Sequence, residues 1–278
     1  MKQILTIEEF GRALLTSNDL DPIYVGLCGC DWDDVTRNRW LLAYWCTYHA
    51  GVSSYIAEAP SVEGFWERLS LLAENVTQAP PGGRWPRGRE RRHWRGKNAA
   101  ASLADLRHRY ESAPEDMASF CAGDLPTTCA EVMKRAKLHT GFGPWIAFKI
   151  ADMVERCMGG SVSFDRAEVF MFKDPVLAAQ MAFKAHFDNT DALPDSDVAV
   201  RWAVPYLTEE FRDLQAPPGW DRAVGLQEVE TVLCKWKSHV NGHYPLGNDI
   251  HEIRNGLIQW GPHSDLARQY LAAMPEEV

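Results

Sequence analysis

The sequence contains no apolar run that approaches the roughly 20 residues needed to cross a bilayer. Glu8 and Glu9 interrupt its first apolar stretch, which argues against a secretory signal peptide. Its seven cysteines are too few and too scattered for a disulfide framework. Cys28 and Cys30 lack both the CxxC spacing and a second pair of ligands, so we predict no zinc site and name no metal ligand among the site residues. Together these absences predict a cytoplasmic protein.

The chain also lacks a general excess of positive charge, because its net charge is −9. This excludes a protein whose whole surface is adapted to DNA. The exception is the basic segment, residues 84–97, RWPRGRERRHWRGK, in which seven arginines and lysines accompany a single acid, Glu90. One concentrated positive segment in an acidic protein predicts a focused anion-binding surface.

Alternating apolar and polar residues, the pattern of a half-buried strand, are missing as well. Apolar residues instead recur at helical spacing, and Thr6 with Glu9 has the pattern of a capping box. The sequence predicts an all-α protein, one compact body or two helical lobes, with residues 1–278 as a single domain. The predicted helices include residues 34–58 with a bend near Gly51, 61–75, 99–111, 114–122, 126–137, 143–158, 166–173, 175–187, 208–215, 221–240 and 263–273.

Residues 126–158 predict a hairpin of two helices joined by a tight turn. Gly141 and Gly143 allow the backbone to turn sharply and to approach a partner closely. Pro144 suits the first position of the second helix, whose free N–H groups could hold one phosphate. An ordinary packing hairpin has the same pattern, so both interpretations stay open at this point.

The pattern LxxxGFGPxxAxxIA around this turn resembles the helix-hairpin-helix of the DNA glycosylase superfamily. That resemblance implies that Gly141, Gly143 and the adjoining Trp145 contact a DNA phosphate. It also implies that Asp165, in Val162-Ser163-Phe164-Asp165, faces the substrate. Trp145 stands where the lyase-type glycosylases carry a nucleophilic lysine, which argues against Schiff-base chemistry.

Four blocks resemble a more specific family: DPIYVGL, RWLLAYWCTYHAGVSSYI, RWPRGRERRHWRG and ETVLCKWKSHVNGHYPLGNDI. Together they resemble the amino acid:DNA transferases of bacteriophages, also described as alpha-glutamyl/putrescinyl thymine pyrophosphorylases. The resemblance covers about residues 20–260. It implies a glycosylase-like helical enzyme of thymidine hypermodification, which acts on double-stranded DNA bearing a pyrophosphorylated 5-hydroxymethyluracil. In that reaction 5-(pyrophosphoryloxymethyl)uracil loses pyrophosphate, and a free amino acid, glycine or serine in our prediction, bonds to the methylene carbon.

Departure of pyrophosphate develops negative charge that fixed guanidinium groups can stabilise. The predicted substrate and pyrophosphate ligands are Arg84, Arg87, Arg91, Arg92, His93 and Arg95. Nonspecific contact with the DNA backbone is the alternative for the same residues. Trp85 and Trp94 could stack on a base or anchor the segment to the core, and the sequence does not separate these roles.

The incoming amine must lose a proton before it attacks, and we assign the acceptor role to Asp165. The alternatives are electrostatic stabilisation of a methylene-uracil intermediate and a helix N-cap. Lys235, Lys237 and Tyr244 are predicted to lie in or near the substrate pocket. Mg²⁺ held by Asp31, Asp33 and Asp34 is possible, although an acidic helix cap explains these residues equally well.

Two other functions remain compatible with the sequence. One is a monofunctional DNA glycosylase that uses Asp165 to activate water. The other is a noncatalytic DNA-binding protein with a helix-hairpin-helix. The number of arginines in the basic segment favours the transferase, because the leaving group of a glycosylase carries no pyrophosphate charge.

Overall fold

The computed structural model describes residues 4–75, 77–165, 172–187 and 192–277. Within these ranges the chain forms fourteen α-helices and two short strands, which confirms the prediction of an all-α protein. The elements are α1 (Ile7–Thr16), α2 (Pro22–Cys28), α3 (Asp34–Thr47), α4 (Ala50–Ala57), α5 (Val62–Glu74), α6 (Gly96–Tyr110), α7 (Asp116–Ala122), β1 (Thr127–Thr128), α8 (Cys129–Ala136), α9 (Pro144–Met158), β2 (Val162–Ser163), α10 (Lys173–Phe187), α11 (Ser196–Glu210), α12 (Leu226–Val240), α13 (Asn248–Trp260) and α14 (Asp265–Ala273). Among the described residues, none of the helices combines the length and the apolar character that a bilayer span requires.

The chain divides into two compact units. Unit 1 comprises Met1–Val25, Phe164–His251 and Pro275–Val278, and unit 2 comprises Gly26–Ser163 and Glu252–Met274. Each unit therefore joins segments that are distant in the sequence, and each has buried apolar residues of its own.

In unit 1, α1 and α10 both pack on α12, and α11 packs on α10. The capping box predicted for α1 is present, with Thr6 and Glu9 each accepting from the other's backbone N–H. Phe10, Leu14 and Phe211 are fully buried. A Cβ on Gly11 would lie 2.3 Å from the Phe211 ring, so only glycine lets this ring pack against α1.

In unit 2, α3 packs on α4, α5 on α6, and α8 on α9, while α14 covers α4. Large aromatic side chains fill the core, among them the fully buried Trp40, Trp45, Trp66 and Trp260. The two strands form a single parallel pairing of Thr127 with Val162 and Thr128 with Ser163. Burying several aromatic rings of 150–250 Å² each supplies much of the apolar stabilisation of such a unit.

The helix predicted over residues 34–58 is two helices, and the break lies before Gly51. Tyr48 adopts a left-handed conformation with φ of +52°, and His49 is extended. His49 then caps α4, because its Nδ1 accepts from the N–H of Val52 at 3.3 Å. Gly51 serves packing instead, since a Cβ there would lie 2.7 Å from the carbonyl oxygen of Gly256.

Other boundaries differ as well. The helix predicted over 208–215 overlaps only the end of α11, and α2 and α13 were not predicted. Most of the helix predicted over 166–173 lies outside the described residues. The remaining helices lie where the apolar spacing placed them, with Ser61 as the N-cap and Asn75 as the C-cap of α5.

His49 makes the stability of unit 2 depend on pH. Burial lowers the pKa of this imidazole from 6.5 to about 4. A group whose folded-state pKa is depressed stabilises the fold above its unfolded pKa, and this contribution is lost as the pH falls from 6.5 towards 4. The variant His49→Asn can still cap α4 but does not titrate. On acidification we therefore expect its free energy of unfolding to fall by about 2 kcal/mol less than that of the original protein. Urea titrations of both proteins at pH 7.5 and pH 4.5 measure this difference, and equal losses would contradict the prediction.

Candidate active site

The basic segment is anchored at its start by Trp85. This side chain is only 4% exposed, and its ring packs against Tyr55 and Trp260 at centroid distances of 6.2 and 5.7 Å. Its indole N–H donates to the hydroxyl of Thr77 at 3.4 Å. These contacts support an anchoring role for Trp85 rather than stacking on a base.

Arg87 extends the same anchor. Its guanidinium donates to the backbone carbonyls of Leu72 and Trp85, and burial lowers its pKa. Leu72 lies in the last turn of α5, where a cation is favourable for the helix dipole. Arg87 therefore uses both Nη groups within the protein, which supports a positioning role, while its buried Nε has no partner among the described residues and its contact with pyrophosphate stays a prediction.

Arg91 connects the basic segment to the hairpin between α8 and α9. Its Nε donates to the carbonyl of Cys46 at 3.3 Å, and its Nη1 donates to the carbonyl of Gly141 at 3.0 Å. The guanidinium also lies over the ring of Phe142, 5.2 Å from its centroid. Arg91 is 8% exposed and forms no ion pair with a carboxylate in the described part of the chain. Burial lowers its pKa, yet an arginine retains its charge at neutral pH.

The hairpin turn is fixed from several sides. The carboxylate of Asp105 accepts from the N–H of Thr140 at 2.7 Å, and Arg109 donates to the carbonyl of Leu138 at 3.2 Å. Gly141 has a φ of +83°, a conformation that glycine adopts without strain. Residues of α6 and of the basic segment thus hold the predicted turn in one conformation.

The same turn presents unused backbone donors. Within the described residues, no protein acceptor is found for the N–H groups of Gly141 and Gly143. Helix α9 begins at Pro144 without a side-chain cap and without an acid in its first turn. Trp145 packs its ring on Tyr48 at 5.0 Å, so a contact with DNA phosphate would come from its backbone N–H. Free N–H groups at a helix N-terminus can donate hydrogen bonds to the oxygens of one phosphate group.

A cleft of about 300 Å³ opens between the basic segment, the first turns of α6 and the hairpin turn. This volume is at the lower end of cavities that hold small molecules, roughly 300–1,000 Å³. The cleft is lined by Glu90, Arg91, His93, Trp94, Asn98, Ala101, Thr140 and Gly141. The structure therefore brings two separately predicted features, the basic segment and the glycine turn, to one cavity.

Three buried donors around this cleft have no hydrogen-bond partner among the described residues. They are Nη2 of Arg91, Nε1 of Trp94 and the hydroxyl of Ser102. A Cβ on Gly141 would lie 3.2 Å from the Ser102 hydroxyl oxygen and 3.9 Å from Cδ1 of Trp94, so both side chains lie beside the turn. Buried polar groups without partners are costly unless a ligand satisfies them.

The remaining cations of the basic segment are exposed. Arg84, Arg95 and Lys97 form no ion pair within the described ranges, and Arg92 donates only to the carbonyl of Arg89. Helix α6 starts directly after Arg95, again without a side-chain cap. These residues surround an uncapped helix N-terminus with positive charge, which favours a polyanion such as pyrophosphate or the DNA backbone.

The other predicted site residues belong to unit 1. Tyr244 is buried, and its hydroxyl donates to the carboxylate of Asp19 at 2.9 Å. That carboxylate also accepts from the N–H groups of Gly247 and Ile250, at 2.8 and 3.1 Å. Burial and the two neighbouring carboxylates raise the pKa of the Tyr244 phenol, so it remains protonated. These contacts describe a structural network that fixes the loop before α13.

The two predicted lysines of unit 1 have protein partners. Lys235 donates to the carbonyl of Asp19 at 2.6 Å and pairs with Asp249 at 2.7 Å. Lys237 pairs with Asp174 at 2.5 Å. Asp165 is exposed, and the segment that it was proposed to cap, from residue 166, lies outside the described residues. Catalytic roles for these residues stay predictions.

The acidic turn before α3 has a structural explanation. Asp33 is the N-cap of α3, since its carboxylate accepts from the N–H of Thr36 at 2.7 Å, and Asp34 pairs with Arg37. Within the part of the chain that the structure describes, no group of three or more metal-ligating side chains is found. Capping thus accounts for Asp33, and a role for Mg²⁺ stays a prediction.

Sequence reasoning missed the uncharged residues of the cleft. Asn98 and Thr140 line the cleft, and Ser102 lies beside the turn. These residues belong to no recognisable motif, and Asp105 acts through the backbone of the turn. A helical projection of residues 96–110 places residues 98, 102 and 105 on one face, which is the only signal that the sequence offered.

Comparison with known proteins identifies the family. A family model described as "Amino acid:DNA transferase" matches residues 15–244. The chain belongs to the amino acid:DNA transferase family. It is 51% identical to the "Glycinyltransferase" of Pseudomonas phage PaMx11, over 98% of this chain and 97% of that protein. It is 26% identical to the "Putrescinyltransferase" of Delftia phage PhiW-14, over 94% of this chain and 81% of that protein.

Family membership confirms the predicted enzyme class, a transferase that acts with an amino acid on DNA. It favours this reaction over base excision and over DNA binding without catalysis. Membership of the wider helix-hairpin-helix glycosylase superfamily stays a prediction, although the hairpin itself is present between α8 and α9.

Replacement of Arg91 should separate catalysis from DNA binding. Arg91→Lys keeps the positive charge, but a lysine ammonium cannot donate in the three directions that the Nε, Nη1 and Nη2 of the guanidinium do. We therefore expect the rate of amino acid transfer to fall by about 100-fold. The Kd for DNA should change by less than about fivefold, because exposed cations supply most of the contact with the backbone. The half-buried Arg107, which pairs with Glu63, provides the control variant Arg107→Ala. Equal losses of transfer rate and DNA affinity would instead indicate that the basic segment only contacts the DNA backbone.

Replacement of Tyr244 tests its structural role. Tyr244→Phe removes one donor from the buried Asp19 carboxylate, so we expect the free energy of unfolding to fall by about 1–2 kcal/mol. The kcat for transfer should stay within about twofold of the original below the melting transition. A large loss of kcat at unchanged stability would instead support the catalytic role predicted from the sequence.

Proposed function

We propose that this enzyme transfers glycine to double-stranded DNA that bears 5-(pyrophosphoryloxymethyl)uracil, with release of pyrophosphate. The choice of glycine is supported by the relative of 51% identity, which is named a glycinyltransferase. The reaction joins the amine nitrogen to the 5-methylene carbon as the bond from that carbon to pyrophosphate breaks. Such an activity would operate in the cytoplasm of a phage-infected cell.

The observation that carries this proposal is the buried charge of Arg91. A guanidinium removed from water and left without a carboxylate costs several kcal/mol, unless an anion completes the site. The cleft beside it is lined by Trp94, whose indole N–H is unused, and the unused hydroxyl of Ser102 lies next to the glycine turn. A pyrophosphate in the cleft would satisfy these donors and would be stabilised as its negative charge develops.

The exposed cations and the hairpin turn would hold the DNA. Arg84, Arg92 and Arg95 are free to contact the pyrophosphate or backbone phosphates. The N–H groups of Gly141 and Gly143 would bind one backbone phosphate and fix the position of the DNA against the cleft. A 5-substituent on uracil projects into the major groove, so the substituent can be reached without removing the base from the stack.

Asp165 is an exposed carboxylate of unit 1, and its role as a proton acceptor or as a source of electrostatic stabilisation stays a prediction on which the proposal for the cleft does not depend. Trp145, in the position of a lyase lysine, offers no amine to form a Schiff base. This residue argues against lyase chemistry, and the product assay separates group transfer from a monofunctional glycosylase.

A product assay tests the proposed function directly. The purified protein is incubated with duplex DNA containing 5-(pyrophosphoryloxymethyl)uracil and a mixture of glycine, serine and putrescine, and the digested nucleosides are analysed by mass. We expect a nucleoside that has gained glycine and lost pyrophosphate, with stoichiometric release of pyrophosphate. A free base or an abasic site would indicate a glycosylase. An unchanged nucleoside would overturn the proposal.

A further inference from the structure

Among the described residues that line the cleft, Glu90 is the one carboxylate. Its side chain is exposed, and it neighbours Arg91 in the chain. We propose that Glu90 binds the amino group of the incoming amino acid in this cleft and accepts a proton from it before transfer. This inference rests on the transfer reaction proposed above and adds a catalytic residue to it.

The backbone that carries Glu90 is held in place. Glu90 occupies the centre of a 3-10 turn, Arg89–Arg91, in which the N–H of Arg91 donates to the carbonyl of Gly88 at 3.0 Å. The N–H of Gly88 donates to the carbonyl of Thr47 at 2.9 Å. A Cβ on Gly88 would lie 2.4 Å from the carbonyl oxygen of Tyr48, so the turn lies directly on the break between α3 and α4. Glu90 is therefore presented from a fixed support, as a catalytic group requires.

The chemistry of the nucleophile calls for such a group. An amino acid in water is mostly an ammonium ion, which has no lone pair to attack carbon. A carboxylate attracts this cation and can take its proton. The neutral amine then forms the carbon–nitrogen bond, and pyrophosphate leaves with the electron pair of the carbon–oxygen bond. The product is a secondary amine that retains two protons as an ammonium, and the proton on Glu90 returns to water.

The two signs of charge in the cleft match the two partners of the reaction. The amine and the leaving group meet at one carbon, so the groups that bind them must be close together. Arg91 and Trp94 offer only donors, and the hydroxyl of Ser102 can donate as well, which suits the pyrophosphate. His93 also lines the cleft, but an imidazole in either protonation state lacks the negative charge that attracts an ammonium. Glu90 is the lining residue whose charge complements the amine.

The test is the kinetics of Glu90→Gln with glycine and pyrophosphorylated DNA. We expect kcat/KM for glycine to fall by about 100-fold at pH 7.5, the usual effect of losing a general base. DNA affinity should be unchanged or higher, because the substitution removes a negative charge beside a basic surface. The deficit should shrink at least tenfold above the pKa of the glycine amine, where the nucleophile is already neutral. Arg91 and His93 face the same cleft, and both are present in the original and the variant.

Two comparisons make the result decisive. Glu252→Gln removes an exposed carboxylate that pairs with Arg89 at 3.2 Å on the same turn, and this variant should transfer glycine at the original rate. Glu90→Asp keeps the carboxylate, so it should retain more activity than Glu90→Gln. A fall of less than tenfold in Glu90→Gln, or a larger fall that persists at high pH, would overturn the assignment. Absence of transfer by the unaltered protein would instead refute the proposed function itself.

Discussion

The candidate site depends on the guanidinium of Arg91, because it joins three pieces of chain that are distant in the sequence. It ties the basic segment to the end of α3 through the carbonyl of Cys46 and to the hairpin through the carbonyl of Gly141. A planar group with five fixed donors can meet these directions together, which a lysine ammonium on a flexible stem cannot. The third direction remains unused inside the protein. A structural tie that also leaves a charge unsatisfied is well suited to hold an anionic substrate at a defined position.

The distribution of charge explains how an acidic protein can act on DNA. The net charge of −9 gives the enzyme little general attraction for a polyanion. The exposed cations of the basic segment, together with two helix N-termini that carry no side-chain cap, concentrate positive potential around one cleft of unit 2. Binding to DNA is then coupled to one orientation, because contact elsewhere on the surface is repelled. Concentrated charge of this kind determines the orientation of the bound DNA more than it raises the affinity for DNA.

The sequence predicted those parts of the fold that depend on local chemistry. The caps of α1 and α5 were readable because Thr6 and Ser61 act on N–H groups three residues away. The break at Tyr48 could not be predicted from the sequence. Its left-handed conformation is held by contacts of the ring with Tyr44 and Trp145, which depend on the tertiary structure. Helix α13 was missed although its buried Ile250, Leu257 and Trp260 recur at helical spacing, because the intervening residues are polar.

The site was predictable in its charges and not in its arrangement. The arginine run and the glycine turn were visible as separate motifs, but their meeting in one cleft depends on contacts between residues some fifty positions apart. Spacing also could not tell that Arg87 and Tyr244 would use their polar atoms inside the protein. Such distinctions depend on burial, which decides whether a polar group is satisfied or available.

The two charges that transfer requires can come from one short turn. A leaving group and a nucleophile meet at a single carbon, so the groups that bind them have to stay in register within a few tenths of an ångström. Glu90 and Arg91 are consecutive residues on a 3-10 turn that Gly88 fixes against the backbone of Tyr48. Both residues line the same cleft, so no movement between distant elements is needed to bring the carboxylate and the guanidinium to it. The proposal also gives a reason for a negative residue within an otherwise positive segment: the amine needs an anionic neighbour where the pyrophosphate needs cations.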